Sequence, residues 1–396
     1  MNYALRSYDI RQANEKLVLK LVFQNELISQ SQVVQMTGLK APTVFRIFAK
    51  LEEAGFIHPC DADRLPEHPL DSDRKGRRPS YYCADPTSGY AIGVDFSRVG
   101  VSVILVDFCN TVIYQDSREF TESPDHQTTL RLIEEMISQS LSEGNVEQDA
   151  LLGIGIAAPG VIDTDSGVVL QYHRIEGLTG YALGDHFEAI YGAPVYVHNN
   201  ASVIASSAYH YGPAQEEDSL LSILVRFGVG AGFINHGEIF LNGSHTALEI
   251  GRAAVCCAST EDVAEDRSTL ETIIAEQPLL RRLQKEYGVQ SWTDVDTNLS
   301  IDQVTASLEQ ERLTFAMSVR NLFHVLHPDA VLLVSRYRLL SEFLGGAVHE
   351  AVPEVRVIAR VYDPVQACYG ATDIVFRHFF RVTPGQVGEP AVTPAG

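Results

Sequence analysis

A chain of 396 residues, 45% of them hydrophobic, holds enough material for two or three domains and a sizeable core. It has no apolar run of the roughly 18 residues a membrane span needs. The net charge of −21 argues against a nucleic-acid binder taken whole, but the charge is uneven. The first fifty residues set Arg6, Arg11, Lys16, Lys20, Lys40, Arg46 and Lys50 against Asp9, Glu15 and Glu26, which leaves +4 there and −25 in the remainder. That asymmetry points to a nucleic-acid-facing module on an acidic body.

Residues 14–24 place Leu17, Val18, Leu21 and Val22 on one stripe, which predicts a helix. Ile28 to Ser31 offers a turn and an N-cap for a short second helix through Met36. Thr37-Gly38-Leu39 is a tight turn, and Pro42 suits the first turn of a third helix. On that helix Val44, Ile47, Phe48 and Leu51 face inward, while Thr43, Arg46 and Lys50 share the opposite face. Two helices joined by a short Gly-containing turn, the second with its polar face free, describe a helix-turn-helix; a small helical cap is the alternative. Glu53-Ala54-Gly55-Phe56-Ile57 ends the helix and enters a strand, and Ser80-Tyr81-Tyr82 reads as its return. The intervening residues 61–73 read as a mobile wing tip. The run Arg74-Lys75-Gly76-Arg77-Arg78-Pro79 lies where a wing or linker meets phosphates or a minor groove.

After Asp85-Pro86 the pattern becomes α/β. Strands are predicted at Ala91–Asp95, Val101–Asp107 and Leu151–Ala158, the last ending in the turn Pro159-Gly160. Val161–Asp163 and Gly167–Val169 follow, with helices at Thr128–Leu141 and Gly184–Tyr191. The strand Val195–Val197 delivers Asn199 and Asn200 to its C-terminal end, where ligands bind in open α/β sheets. Paired amides after a strand are otherwise Asx-turn residues. Leu221–Val225 is a strand running into a Gly-rich turn, Gly228-Val229-Gly230-Ala231-Gly232. Beyond it come helices at Leu279–Tyr287, Ile301–Gln310 and Leu313–Leu326, strands at Val331–Val334 and Val355–Val361, and a closing helix at Gly370–Phe380. The residues from about 382, rich in Pro, Gly and Val, read as a disordered tail.

The order Val197-His198-Asn199-Asn200-Ala201, Gly228 to Gly232, Glu249-Ile250-Gly251-Arg252 and Leu270-Glu271 resembles the ligand-binding half of the ROK family. That family holds sugar kinases and sugar-responsive repressors on one fold. The N-terminal block, down to Gly76-Arg77-Arg78-Pro79, resembles the DNA-binding domain of its repressors. The resemblance implies a winged helix-turn-helix over residues 1–84, then a two-lobed actin-like ATPase (ribonuclease H-like) ROK domain. The small lobe would span 85–197, and the large lobe, with effector site and dimerisation helices, 198–381; the tail is 382–396. It implies effector contacts from Pro159, Gly160, Asn199, Asn200, Glu249, Arg252 and Glu271. DNA contacts would come from Lys40, Thr43, Phe45, Arg46, Lys50, Arg77 and Arg78.

The departures from the family pattern are as telling. The Asp that serves kinases as base stands here as Asn200, and an amide cannot accept that proton. The kinase run Asp-x-Gly-Gly-Thr is Asp95-Phe96-Ser97-Arg98-Val99, and the Gly-Thr-Gly phosphate turn is Arg226-Phe227-Gly228. Ser335-Arg336 stands where kinases use glycines beside adenosine. Close backbone approach to phosphate needs glycine, so ATP binding is expected to be lost. The four zinc positions of the family are Arg252, Asp262, Ala264 and Thr269, which predicts no metal and no cofactor. Adjacent Cys256 and Cys257 are poorly spaced for chelation and read as small core residues. Lys40 and Phe45 replace serines frequent in the family; Lys40 gains a phosphate contact. Phe45 either touches thymine methyls or packs inside the domain.

These features predict a non-enzymatic, sequence-specific DNA-binding regulator, a repressor of carbohydrate uptake or metabolism genes. It would act as a homodimer or dimer of dimers on double-stranded operator DNA, with a sugar or sugar-phosphate effector and no membrane role. Arg252 for His and Asn200 for Asp shift the pocket toward positive, favouring an anionic sugar; alternatively Arg252 pairs with Asp262 and holds the old zinc loop shut. The rival readings are a regulator controlled by a protein partner and a sugar kinase with a DNA-binding extension. Cys60, Cys83, Cys109, Cys256, Cys257 and Cys368 are irregularly spaced, which predicts no disulfide framework and a reducing, cytoplasmic setting. The start of the chain, with Arg6, Asp9 and Arg11, lacks the apolar core of a signal peptide.

Overall fold

The computed structural model describes residues 7–60, 80–255 and 268–381. The expected wing tip, the basic run with Arg77 and Arg78, the segment with Cys256, Cys257, Asp262 and Ala264, and the tail lie outside the described residues. The chain forms two compact units. One takes in the residues up to Tyr90 with Val106–Val112 and the end of the chain from Phe376; the other holds Ala91–Leu105 and Ile113–Val375.

In the first unit α1 (Ser7–Gln24) is followed by β1 (Ile28–Ser29), α2 (Gln30–Thr37), α3 (Ala41–Glu53), β2 (Ile57–Pro59) and β3 (Tyr81–Ala84). Ser29 opens α2 through a capping box: its Oγ accepts from the Gln32 N–H at 3.3 Å, and the Gln32 side chain accepts from the Ser29 N–H at 2.8 Å. Gly38, at φ +68°, reverses the chain into α3, whose first turn carries Pro42. Val44, Ile47, Phe48 and Leu51 are buried, as are Val18, Val22 and Val33 from α1 and α2. Two residues read as a turn are instead a strand: Ile28 and Ser29 pair antiparallel with Tyr82 and Tyr81, giving the sheet order β1-β3-β2. The expectation of no disulfide is also corrected. Cys60 and Cys83, 5.6 Å apart at Cα, are bonded because the β2-β3 pairing sets them side by side, 23 residues apart in sequence.

The second unit opens with β4 (Tyr90–Ser97), β5 (Gly100–Asp107), β6 (Val112–Glu119), α4 (His126–Gly144) and β7 (Leu151–Ala158). Then come β8 (Val161–Asp163), β9 (Val168–Gln171), β10 (Tyr181–Ala182), α5 (Leu183–Tyr191) and β11 (Val195–Asn199). The main strands form a sheet in the order β11-β7-β4-β5-β6, and β8 to β10 form a small separate sheet. Next are α6 (Asn200–His210), β12 (Ser219–Val225), β13 (Val229–Asn235), β14 (Glu238–Ile239), α7 (Leu270–Ile274), α8 (Glu276–Tyr287) and α9 (Trp292–Asn298). The chain finishes with α10 (Ile301–Ser307), α11 (Glu309–Leu326), β15 (Ala330–Ser335), α12 (Arg338–Ala351), β16 (Arg356–Val361) and α13 (Pro364–Phe380). A second sheet runs β14-β13-β12-β15-β16, with β12, β15 and β16 parallel.

Helices α7 to α12 cover one face of this second sheet around Phe315, Trp292 and Phe343. Helix α6 covers the other face with Ala201, Ile204, Ala205 and Ala208. Helix α13 crosses α6 so closely that a Cβ on Gly370 would meet the Val203 carbonyl at 2.1 Å. It also lies on the first sheet, where Gly93 and Gly155 face the backbone of Cys368 and Ala371. Of the run Gly228 to Gly232, only Gly228 belongs to the bend after β12; residues 229–232 are the entry to β13, antiparallel to β12. Its glycine at 232 makes room for a helix, since a Cβ there would come within 2.5 Å of Ser202 Cα.

Candidate effector cleft and DNA-binding face

The ends of β4, β7, β11 and β12 open onto a cleft of about 450 Å³, a size suited to a small polar molecule. All seven residues expected at the effector site line it: Pro159, Gly160, Asn199, Asn200, Glu249, Arg252 and Glu271. Asn199 caps α6 by accepting from the Ala201 N–H at 2.9 Å and donates to the Gly160 carbonyl at 2.7 Å. It thereby pins the Pro159-Gly160 turn, in which Gly160 has φ +91° and Tyr172 crowds its Cα. Glu271 takes the Val229 N–H at 3.2 Å and pairs with Arg174 at 3.1 Å. Glu249 is reached by solvent from the cleft but crowded by protein. That crowding holds its carboxyl above the usual carboxylate range; Glu271 adds to the effect and Arg252 opposes it. Arg252 donates to Gln171 at 3.4 Å.

Asn200 is turned inward. Its Nδ2 donates to Asp95 Oδ1 at 2.6 Å and to the Ala157 carbonyl at 3.2 Å. The second oxygen of Asp95 accepts from the Tyr362 hydroxyl. Asp95 is fully buried, and loss of water pushes its carboxyl up to about 6, against the pull of Arg226 and the two hydrogen bonds. Arg226 stacks on Tyr362, 4.1 Å from the ring centre, and donates to Ser97 at 3.2 Å. Phe227 lies under two guanidiniums, Arg98 at 4.9 Å and Arg336 at 4.3 Å, and Arg336 is held by Glu276 at 3.0 Å. Side chains thus occupy the positions where the kinase pattern has phosphate-binding glycines. Ser97, Tyr172, His173, Arg174 and Arg226 line the cleft without having been expected there. The run Gln171-Tyr172-His173-Arg174, polar at the end of β9 and opposite Gly160, was the available signal.

On the first unit Lys40 is the N-cap of α3 without a side-chain cap bond. Lys40, Phe45, Arg46 and Lys50 are exposed, and Thr43 is half-buried. Phe45 is 64% exposed, so among the described residues its ring does not pack inside the domain. The Lys50 ammonium is tied to Glu15 of α1 at 2.6 Å. Among the described residues no cluster of three metal-ligating side chains is present, and no helix is long and apolar enough to cross a membrane.

A three-helix module with a small wing sheet, followed by an α/β body of two sheets whose strand ends frame a polar cleft, defines a winged helix-turn-helix regulator architecture on a sugar-kinase fold. The ROK family model matches residues 91–365, and a winged helix-turn-helix DNA-binding model matches residues 11–58. The chain belongs to the ROK family and carries an N-terminal winged helix-turn-helix. It is 24% identical over 370 residues to a xylose repressor of Caldicellulosiruptor bescii, covering 89% of this chain and 90% of that one. It is 26% identical over 283 residues to the transcriptional dual regulator NagC of Escherichia coli K12, covering 70% and 67%. The fold is shared with a ROK family transcriptional regulator described as a homolog of the E. coli MLC protein, at TM-score 0.76 and 18% identity over 94% of this chain and 97% of that one. A ROK hexokinase from Thermus thermophilus shares it at TM-score 0.59 and 18% identity, over 73% and 99%.

Proposed function

We propose that this protein is an operator-binding repressor of carbohydrate genes whose cleft binds a sugar or sugar derivative without phosphorylating it. The observation that carries the reading is the cleft itself: Asn199, Glu249 and Glu271 converge on one polar cavity at the strand ends of a sugar-kinase fold. Relatives named as xylose and N-acetylglucosamine repressors support it. Binding without transfer is supported by Asn200, which offers no base, and by Arg226 and Phe227, which fill the phosphate turn. The protein would act in the cytoplasm, as a homodimer or dimer of dimers.

Lys40, Thr43, Phe45 and Arg46 would meet the major groove and its phosphates, Lys50 more weakly because Glu15 shares its charge. Arg77 and Arg78 would reach the backbone or minor groove. Effector binding would reach the DNA-binding unit through α13. Tyr362, two residues before it, touches Asp95 and Arg226 at the cleft. At its far end Phe376 and Phe380 pack against Phe23 of α1 as tilted rings, with ring centres 4.7 and 5.0 Å from it. An effector that prefers one arrangement of these elements lowers operator affinity by linkage. The test is fluorescence anisotropy on promoter fragments with a sugar panel, beside an ATP-consumption assay. Specific binding released by one sugar, with no phosphorylation, is expected. Turnover of a sugar, or no preference among promoter fragments, refutes the reading.

A further inference from the structure

We propose that the cleft takes an acidic sugar, bearing a carboxylate or a phosphate, and that Arg226 receives the anionic group. The inference rests on the sugar-effector reading and names the class of sugar. Three guanidiniums, those of Arg174, Arg226 and Arg252, line the cleft against two carboxylates, Glu249 and Glu271. Glu271 is already paired with Arg174. The lining thus carries one more guanidinium than carboxylates, in a chain whose net charge is −21. A neutral hexose makes no use of such an excess, because amides and carboxylates suffice to read hydroxyls.

Arg226 differs from the other two in being only 8% exposed. Its Nη2 is spent on Ser97, but its Nε is buried with no hydrogen-bond partner among the described residues. No salt bridge to it stands among the described residues, although Asp95, whose oxygens accept from Asn200 and Tyr362, lies close enough to feel its charge. A desolvated N–H left open is unfavourable, and an anionic oxygen is its strongest acceptor. The planar guanidinium also suits a group that offers two oxygens, as a carboxylate or phosphate does. Arg226 follows β12 and Ser97 ends β4, so the anion would sit at the strand ends with a hydroxyl donor beside it. Asn199 and Glu249 remain for the sugar hydroxyls.

Calorimetry on the full-length protein compares the uronates and 6-phosphates of glucose, galactose and mannose with their neutral parents, and with inorganic phosphate alone. At least one acidic sugar is expected to bind ten or more times tighter than its parent, and the uronate and 6-phosphate arms tell which anion is read. Arg226→Gln is expected to cut that ratio at least tenfold. Arg226→Lys, which keeps charge and bulk but loses the fork, should cut it about threefold. A neutral sugar binding as well as its acidic forms overturns the inference and leaves the effector reading standing; binding of no sugar overturns both. Inorganic phosphate binding as tightly as a sugar phosphate, or a ratio unchanged in both variants, also overturns it.

Discussion

Asn200→Asp puts back the side chain that serves kinases as base, but in a buried setting that resists a second carboxylate. Asn200 Nδ2 donates to Asp95 Oδ1 at 2.6 Å in a place where Asp95 is only 4% exposed. The exchange removes a hydrogen bond to a charged group, worth about 1.5–3 kcal/mol. It also sets two carboxyls about 4 Å apart, where like charges at an effective dielectric of 20 repel by about 4 kcal/mol. The pair responds by keeping one proton, which rebuilds a hydrogen bond at low pH but becomes costly as pH rises. Stability of the variant therefore falls with rising pH. The expected loss relative to wild type is about 1 kcal/mol at pH 5 and about 4 kcal/mol at pH 8. Urea unfolding followed by the single tryptophan, Trp292, which is 2% exposed in the same unit, measures it. The variant should also fail to phosphorylate sugars, because Arg226 and Phe227 still fill the phosphate turn. A variant as stable as wild type at pH 8, or one with equal losses at both pH values, would refute the reasoning.

Asp95 supplies a second pH-dependent expectation. Its folded value of about 6 lies above the ordinary 3.8, so the folded state holds the proton more tightly and stability drops as pH rises between those values. Asp95→Asn removes that dependence; the wild-type-minus-variant stability should fall by about 2 kcal/mol between pH 4.5 and 7, read from paired urea curves. Arg46→Ala should weaken operator binding about 5- to 100-fold in anisotropy titrations, with Lys50→Ala weaker in effect; unchanged affinity for Arg46→Ala would move the recognition surface elsewhere. Phe48→Ala, at a fully buried site, should cost about 3–5 kcal/mol and abolish operator binding while sugar binding in calorimetry persists. Loss of both activities together would mean that the two units do not fold independently.

Much of this molecule is written in local periodicity. The spacing of Val44, Ile47, Phe48 and Leu51 specifies the buried stripe of α3, and the apolar runs at 151–158, 221–225 and 331–334 specify central strands, because side-chain period follows from backbone geometry alone. The resemblance to the ROK family, rather than any local pattern, singled out 199, 249 and 271, which line the cleft. Three elements were not legible, each for its own reason. Helix α6 is lined with small buried residues on all sides, α12 is interrupted by Gly345-Gly346, and β6 is a half-exposed strand at the sheet edge. The glycines at 230 and 232 look like a turn until α6 is seen lying against β13. Pairings between distant residues belonged to the tertiary structure: Asn200 with Asp95, Arg226 with Tyr362 and Ser97, Cys60 with Cys83. Sequence determines which face each segment presents, but what that face meets depends on chain closure over tens to hundreds of residues, which no local pattern encodes.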